Sequence, residues 1–211
     1  FMRSLFSGVL KDNPHLTFGV LTGVLRVAKE SVFSGLNNLK INSLLDERYS
    51  DYFGFTLQDV TDMAAYYGCE NKLQEIREWY DGYRFGTQDI YNPWSVVSYF
   101  GNAGKPKAFW QATGSNGIIG EILAQADSGM MESLQSLMQG KTVLTHVDTS
   151  VVYPQIPGEP NAVFSFLLMA GYLKAVRSNT DYGEDYLCEL AIPNREISYV
   201  YSKEILSRLK D

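Results

Sequence analysis

Apolar residues recur with the 3.6-residue spacing of amphipathic helices in residues 56–68 and again in residues 71–82. In the first segment, Thr56 followed three residues later by Asp59 predicts an N-terminal cap, and Gly68 predicts the end of the helix. The residues on its apolar face are Leu57, Val60, Met63, Ala64 and Tyr67. The second segment predicts a helix that ends at Gly82 and turns inward Leu73, Ile76, Trp79 and Tyr80. The short connection between them predicts a helical hairpin.

A third helix is predicted to begin at Asn92 and Pro93. Asparagine caps a helix with its side-chain oxygen, and proline suits the first helical position because its missing N–H would have no partner there. The stretch "REWYDGYRFGTQDIYNPWS", residues 77–95, is rich in aromatic and charged side chains. It has the composition of a binding surface, but the helix signals at both of its ends favour packing as its main role.

Residues 16–25, "LTFGVLTGVL", are apolar apart from two threonines and two glycines. A short continuous apolar run of this kind is typical of a strand that is buried on both faces of a parallel sheet. We therefore expect a central strand here, followed by a short helix within residues 26–38.

The second half of the chain predicts helices followed by a two-stranded wing. Helical patterns cover residues 115–127 and 129–140, and residues 141–147 predict a strand. A buried helix then ends at Gly171 and leads into a hairpin with the polar turn "SNTDYGED". A last helix starts near residue 194. Together these elements predict a winged-helix-like module and a fold that is mainly α with small β elements, in the α+β class.

Composition narrows the range of functions. The 211 residues carry a net charge of -6, so no global positive field draws the chain to nucleic acid or acidic membranes. The two cysteines, Cys69 and Cys188, are far apart and predict free thiols, while His15 and His146 alone give little support for a metal site or a Ser/His/Asp triad. No run of ~20 apolar residues or secretory leader is present, so we expect a cytoplasmic chain without a membrane span.

Two short motifs resemble parts of a nucleotide site. "GNAGKP", residues 101–106, has two residues instead of four between its glycines, and Pro106 stands where a phosphate loop needs a hydroxyl. It also follows a helix instead of a strand, so a surface turn is the better interpretation. "SLLDE", residues 43–47, places Asp46 after only two apolar residues, which favours a solvated or capping acid over a magnesium ligand.

Thr22 lies at the carboxyl end of the predicted buried strand, and Arg26 and Lys29 follow shortly after it. Ligands of open α/β sheets bind beyond the carboxyl ends of strands, so a hydroxyl and a guanidinium at this place suit a γ-phosphate or an attacking water. The alternative is that Thr22 satisfies local backbone groups and Arg26 is a surface residue. Composition alone favours that alternative.

Arg77 and Arg84 are the other candidate phosphate contacts, because a planar guanidinium matches phosphate oxygens. Asp81 and Asp89 provide a structural alternative, in which both arginines are held in ion pairs. The same two carboxylates lack the shared apolar pocket that paired-carboxylate catalysis requires. Ion pairing is the commoner outcome for such a cluster.

Several segments in one order resemble bacterial AAA-ATPase-like proteins. They are "VLTGVLRVAKESVFSGLNNLKINSLLDERYSDYFGFT", "WYDGYRFG", "IYNPWSVVSYF", "GYLKAV" and "LAIPNREI". The resemblance implies a P-loop ATPase-like protein that binds ATP and Mg, in which a PD-(D/E)XK nuclease-like domain often follows. The Walker A and Walker B motifs of the family are absent from this chain, so it would match the C-terminal portion, and we expect a missing N-terminal ATPase core upstream.

The resemblance implies three parts: a remnant of the ATPase core with its sensor strand in residues 1–50, a helical lid in residues 51–112, and the winged-helix-like module in residues 113–211. Thr22 and Arg26 map to the end of the sensor strand, and Arg84 maps to the lid motif. Arg84 and Lys29 are the candidate phosphate contacts. No cofactor is expected to bind the fragment alone. The alternative function is a non-catalytic adaptor, with a protein partner favoured over DNA because the predicted wing is rich in acidic residues.

Overall fold

The computed structural model describes residues 8–11, 13–23, 40–110, 126–149, 160–182 and 185–208, and it has a mixed α+β fold as predicted. The first helices form a helical unit made of α1 (Leu57–Tyr66), a 3-10 turn (Glu70–Lys72), α2 (Leu73–Tyr80) and α3 (Pro93–Gly101). The predicted starts of α1 and α3 are confirmed, and α1 and α2 end two residues before the predicted Gly68 and Gly82.

The caps of the helical unit are those that the sequence predicts. Thr56 and Asp59 form a reciprocal capping box at the start of α1. The side chain of Asn92 accepts hydrogen bonds from the backbone N–H groups of Trp94 and Ser95 at the start of α3. The apolar faces of the three helices meet in a core of Val60, Ala64, Ile76, Tyr80, Tyr91, Val96, Tyr99 and Phe100.

Two residues predicted on the apolar face of α1 are more exposed than expected. Leu57 is 56% exposed and Tyr67 is 55% exposed. Leu57 begins the helix and Tyr67 follows its last residue, whereas the central Val60 and Ala64 are fully buried. Tyr67 packs instead with its ring stacked on Phe100 at 4.9 Å.

A small hairpin that the sequence did not predict connects α2 to α3. Its strands are β1 (Tyr83–Phe85) and β2 (Gln88–Ile90), which pair antiparallel. Tyr83 and Ile90 are buried in the hydrophobic core of the second half of the chain. The hairpin therefore connects the two halves through side chains as well as through the backbone.

The second half forms a sheet module. Its elements are α4 (Ser128–Met138), β3 (Val143–Asp148), α5 (Pro160–Met169), β4 (Lys174–Tyr182), β5 (Asp185–Ala191) and α6 (Arg195–Arg208). The three strands form an antiparallel sheet in the order β3-β5-β4. The predicted hairpin and its flanking helices are confirmed, but residues 178–182, which were predicted in the turn, belong to β4. Its core includes Leu134, Leu137, Val147, Leu167, Leu173, Leu190, Ile197 and Tyr201.

The prediction of a buried strand over residues 16–25 is wrong in its described part. Residues 16–23 have no regular secondary structure, and Phe18 and Val20 are 79% and 66% exposed. A strand of a parallel sheet needs hydrogen-bonded neighbours, and none of the described strands pairs with this segment. The apolar composition of this segment was therefore not sufficient to predict a buried strand. The helix predicted within residues 26–38 lies outside the described residues, as does the helix predicted over residues 115–127 apart from its last two residues.

Candidate functional site

A pocket of about 240 Å³ lies where α2, the β1–β2 hairpin and the sheet module meet. The last turn of α2 contributes two charged side chains, the hairpin contributes Asp89, and β4 contributes its first residue, Lys174. The complete lining is Arg77, Glu78, Asp81, Gly82, Asp89, Lys174 and Pro193. This pocket is the candidate functional site, because it gathers charged groups from both halves of the chain.

Gly82 makes the close approach of the two halves possible at this pocket. A Cβ atom at Gly82 would lie 2.3 Å from the carbonyl oxygen of Pro193, and the backbone φ of +102° is one that residues with side chains rarely adopt. The same hypothetical Cβ would lie 3.2 Å from Nζ of Lys174. The lysine ammonium thus reaches over the glycine into space that any larger residue would fill.

Asp81 is the most buried acidic side chain of the pocket, with 9% of its surface exposed. Its Oδ1 accepts a 2.6 Å hydrogen bond from the Gly82 N–H, and its Oδ2 lies 3.3 Å from Nε of Arg77. Burial raises the pKa of Asp81, and the Gly82 hydrogen bond opposes that shift. The predicted ion pairing is therefore confirmed for Arg77.

Arg84 behaves differently from Arg77. It lies directly opposite Asp89 in the β1–β2 register, so both side chains lie on the same face of the hairpin. No ion pair of 4 Å or less involves Arg84 within the part of the chain that the structure describes. Arg84 is half-buried beside the pocket, and the predicted pairing with an aspartate does not form.

Of the other predicted site residues, Thr22 alone lies in the part of the chain that the structure describes. Thr22 is exposed in the irregular segment 13–23 and does not line the pocket. Arg26 and Lys29 lie outside the described residues. The structure therefore leaves the predicted grouping of Thr22, Arg26, Lys29 and Arg84 without a geometric test.

The interpretation of "GNAGKP" as a surface turn is supported by its hydrogen bonds. The N–H groups of Ala103 and Gly104 donate to the carbonyls of Phe100 and Tyr99, at the end of α3. A helix C-terminus carries partial negative charge and has no free N–H groups for an anion. This turn therefore cannot cradle a phosphate.

Asp46 of "SLLDE" has the capping role that was the expected alternative to metal binding. Its Oδ2 accepts hydrogen bonds from the N–H and the hydroxyl of Ser43, at 2.6 Å and 2.9 Å. Among the residues with described positions, no three His, Cys, Asp or Glu side chains form a group that could hold a metal ion.

A buried carboxylate that sequence reasoning missed lies at the start of α6. Glu196 is fully buried, and it accepts a 2.7 Å hydrogen bond from the Ser95 hydroxyl and a 2.8 Å bond from the Trp110 N–H. The sequence showed only an acidic residue in the first turn of a helix, which is usually exposed. Only the position of α3 and of residues 109–110 over this turn buries it.

Comparisons with known proteins give one relative. The chain is 27% identical over 207 residues to a protein of Azotobacter chroococcum mcd 1 described as "Uncharacterized protein in vnfD 5'region". The alignment covers 98% of this chain but only 38% of the relative, so this chain spans well under half of the relative's length. No family model matches the chain, and no solved structure matches it.

None of the helices within the described ranges combines the length and the apolar character that crossing a bilayer requires.

Proposed function

We propose that this chain is the lid and winged-helix part of a longer AAA-like ATPase, in which ATP-dependent closure of the lid moves the winged-helix module. The observation that carries the proposal is the order of elements in the sheet module. The module has a helix (α4), an edge strand (β3), a buried helix (α5) and a hairpin (β4–β5) whose second strand pairs with the edge strand. This order is the one expected of a winged helix, and it supports the proposal.

Two further observations support the proposal. The relative is much longer than the region it shares with this chain, which leaves room for a nucleotide-binding core outside the matched region. Arg84 has no ion-pair partner among the described residues and lies beside the pocket, so its guanidinium is available to an anionic group.

In this proposal ATP binds between the missing core and the helical unit. Thr22 or Arg26 senses the γ-phosphate, while Arg84 and Lys29 contact phosphate oxygens. The lid closes because ATP contacts both parts only in the closed state, and it opens after hydrolysis because those contacts are lost. Mg would accompany ATP in the intact protein, held by residues outside this chain.

The second candidate function is an adaptor whose winged helix binds a protein. A DNA-reading winged helix places an exposed helix in the major groove, usually with basic side chains on its surface. Here α5 has the sequence PNAVFSFLLM, without a basic residue, and its residues 163–168 are all buried. This burial favours a protein partner over DNA for the adaptor function.

Nucleotide binding tests the first proposal. By isothermal titration calorimetry, the intact longer protein should bind ATP with Mg, and the 211-residue chain alone should not. Arg26→Ala and Arg84→Ala in the intact protein should lower the hydrolysis rate at least 10-fold, whereas Arg177→Ala, an exposed residue of β4, should leave it unchanged. Absence of a GxxxxGK[ST] loop from the intact protein would refute the ATPase role.

Retention on DNA tests the adaptor alternative. We expect the chain to pass through an immobilised-DNA column at about 50 mM salt, where phosphate contacts are strongest. Retention that weakens as salt rises would show a DNA contact and overturn the preference for a protein partner.

A further inference from the structure

We infer that the first turn of α6 is a clamp that fixes the helical unit onto the sheet module, with Glu196 as its central residue, so that the two halves move as one body. Three consecutive residues make the contacts: Asn194 and Arg195 reach the end of α2, and Glu196 reaches α3 and residue 110. Both sides of the clamp belong to this chain, so the inference does not depend on nucleotide binding.

Asn194 joins the start of α6 to the end of α2. Its Oδ1 accepts a 3.1 Å hydrogen bond from the Ile197 N–H and so caps α6, while its Nδ2 donates a 2.9 Å bond to the Asp81 carbonyl. The side chain of Asn194 therefore bonds a backbone carbonyl at the end of α2 and a backbone N–H at the start of α6. The position of α6 relative to α2 is defined at this point.

Arg195 adds an ion pair at the surface. Its Nη1 lies 3.0 Å from Glu78 of α2, but the Arg195 side chain is 64% exposed. Exposed ion pairs contribute little because water and salt screen both charges. Arg195 is therefore the natural control for the clamp, since it spans the same junction without burial.

Glu196 makes the buried contact. Its two carboxyl oxygens bind different segments, one accepting from the Ser95 hydroxyl of α3 and the other from the Trp110 N–H. Tyr80 and Tyr83 are the titratable groups that face it, and no described lysine or arginine forms an ion pair with it. Burying a carboxyl without a counter-ion costs desolvation free energy. We therefore attribute to Glu196 a role in fixing the position of α6 relative to α3.

The consequence is that a force on the helical unit is transmitted to the sheet module without a hinge between them. Breaking the Glu196 contacts should remove the acceptor of the Ser95 hydroxyl and of the Trp110 N–H and loosen α3 and residues 107–110 locally, because these are the two segments that Glu196 holds to α6. The sheet itself keeps its own ladder of hydrogen bonds and should not loosen.

Native-state hydrogen exchange on the 211-residue chain tests the clamp. In Glu196→Ala, exchange at Trp110 and in α3 should rise at least 10-fold, while exchange in β4 and β5 changes less than 2-fold. Glu196→Gln should stay within about 3-fold of the unsubstituted chain at all of these amides, because glutamine still accepts from Trp110 and can donate to Ser95. Arg195→Ala should change nothing beyond 2-fold.

Equilibrium unfolding gives a second readout. Of the three tryptophans, Trp79 and Trp94 belong to α2 and α3, whereas Trp110 packs against the core of the sheet module. Fluorescence therefore reports mainly the helical unit, while circular dichroism reports both halves. The two signals should change at the same urea concentration in the unsubstituted chain and in Glu196→Gln. In Glu196→Ala the fluorescence transition should occur at a lower urea concentration than the circular dichroism transition.

Two results would overturn the inference: a uniform rise in exchange across the helical unit and the sheet, or no rise at Trp110. If Glu196→Ala does not fold, Ser95→Ala removes one of the two donors and replaces it in the test. It should show the same selective pattern with a smaller amplitude, and a uniform pattern in that variant refutes the clamp equally.

Discussion

Gly82 and Pro193 touch across the junction of the two halves, at a distance that leaves no room for a side chain. A Cβ on residue 82 would lie 2.3 Å from the Pro193 carbonyl oxygen. The contact places the end of α2 directly against the residue pair that precedes α6. It makes the junction sensitive to a single methyl group.

Gly82→Ala should therefore destabilise the chain by roughly 2–5 kcal/mol, from the strained backbone φ together with the displacement of Pro193. Gly68→Ala is the matched control, because Gly68 also has a positive φ but no atom lies within 4 Å of its hypothetical Cβ. It should cost only about 1–2 kcal/mol. Urea unfolding of both variants measures the difference, and equal losses would contradict the close contact.

Two buried tyrosines should respond oppositely to loss of the hydroxyl. The Tyr80 hydroxyl donates to the Lys107 carbonyl and accepts from the Lys107 N–H, both at 3.0 Å. Tyr80→Phe should cost about 1–3 kcal/mol, since both backbone groups lose their partner. The Tyr201 hydroxyl is buried and finds no hydrogen-bond partner among the described residues. Tyr201→Phe should be neutral or stabilising in thermal unfolding, and a loss as large as that of Tyr80→Phe would show an undetected partner.

The capping box of α1 should give a measurable acid dependence. Hydrogen bonds from the Thr56 side chain and backbone lower the pKa of Asp59 below its usual value of 3.8. The stability that Asp59 provides is therefore present above pH 3.8 and is lost as pH falls through the lowered pKa. Thr56→Ala should cost about 1 kcal/mol at pH 7 and weaken this dependence. Thr56→Ser keeps the hydroxyl and should preserve both the stability at pH 7 and its acid dependence. Urea titrations at several pH values measure these two quantities.

Glu196 should give the opposite pH dependence. Burial raises its pKa above the usual value of 4.5, although hydrogen bonds from Trp110 and Ser95 oppose the shift. The Glu196 carboxyl therefore loses its proton at a lower pH in the unfolded chain than in the folded one. Its contribution to the free energy of unfolding is greatest below pH 4.5 and is lost as pH rises through the raised pKa. Glu196→Gln should gain stability relative to the unsubstituted chain across this range. A constant difference at all pH values would mean that the pKa is not raised.

Local signals in the sequence were sufficient to place most of the helices. Thr56, Asn92 and Gly82 act on backbone groups within a few residues of themselves, so their roles as caps and stops did not depend on the rest of the fold. The existence of the β4–β5 hairpin was also predictable from the polar, glycine-containing segment between two apolar runs, but its turn was not, because residues 178–182 of that segment belong to β4.

Nonlocal features were not predictable in the same way. The β1–β2 hairpin has three residues in each strand, too few for a periodic pattern, and its burial depends on the sheet module. The apolar run at residues 16–23 was assigned to a buried strand because composition cannot show whether neighbouring strands exist.

The sequence by itself determined the α+β class and the ends of the helices, because caps, stops and hydrophobic periodicity act over one or two turns. Only the tertiary structure decided that Asp81, Lys174 and Pro193 line one pocket and that Glu196 is buried between α3 and α6. These groupings join residues roughly 100 positions apart, and the pairing of such distant segments depends on how whole elements pack.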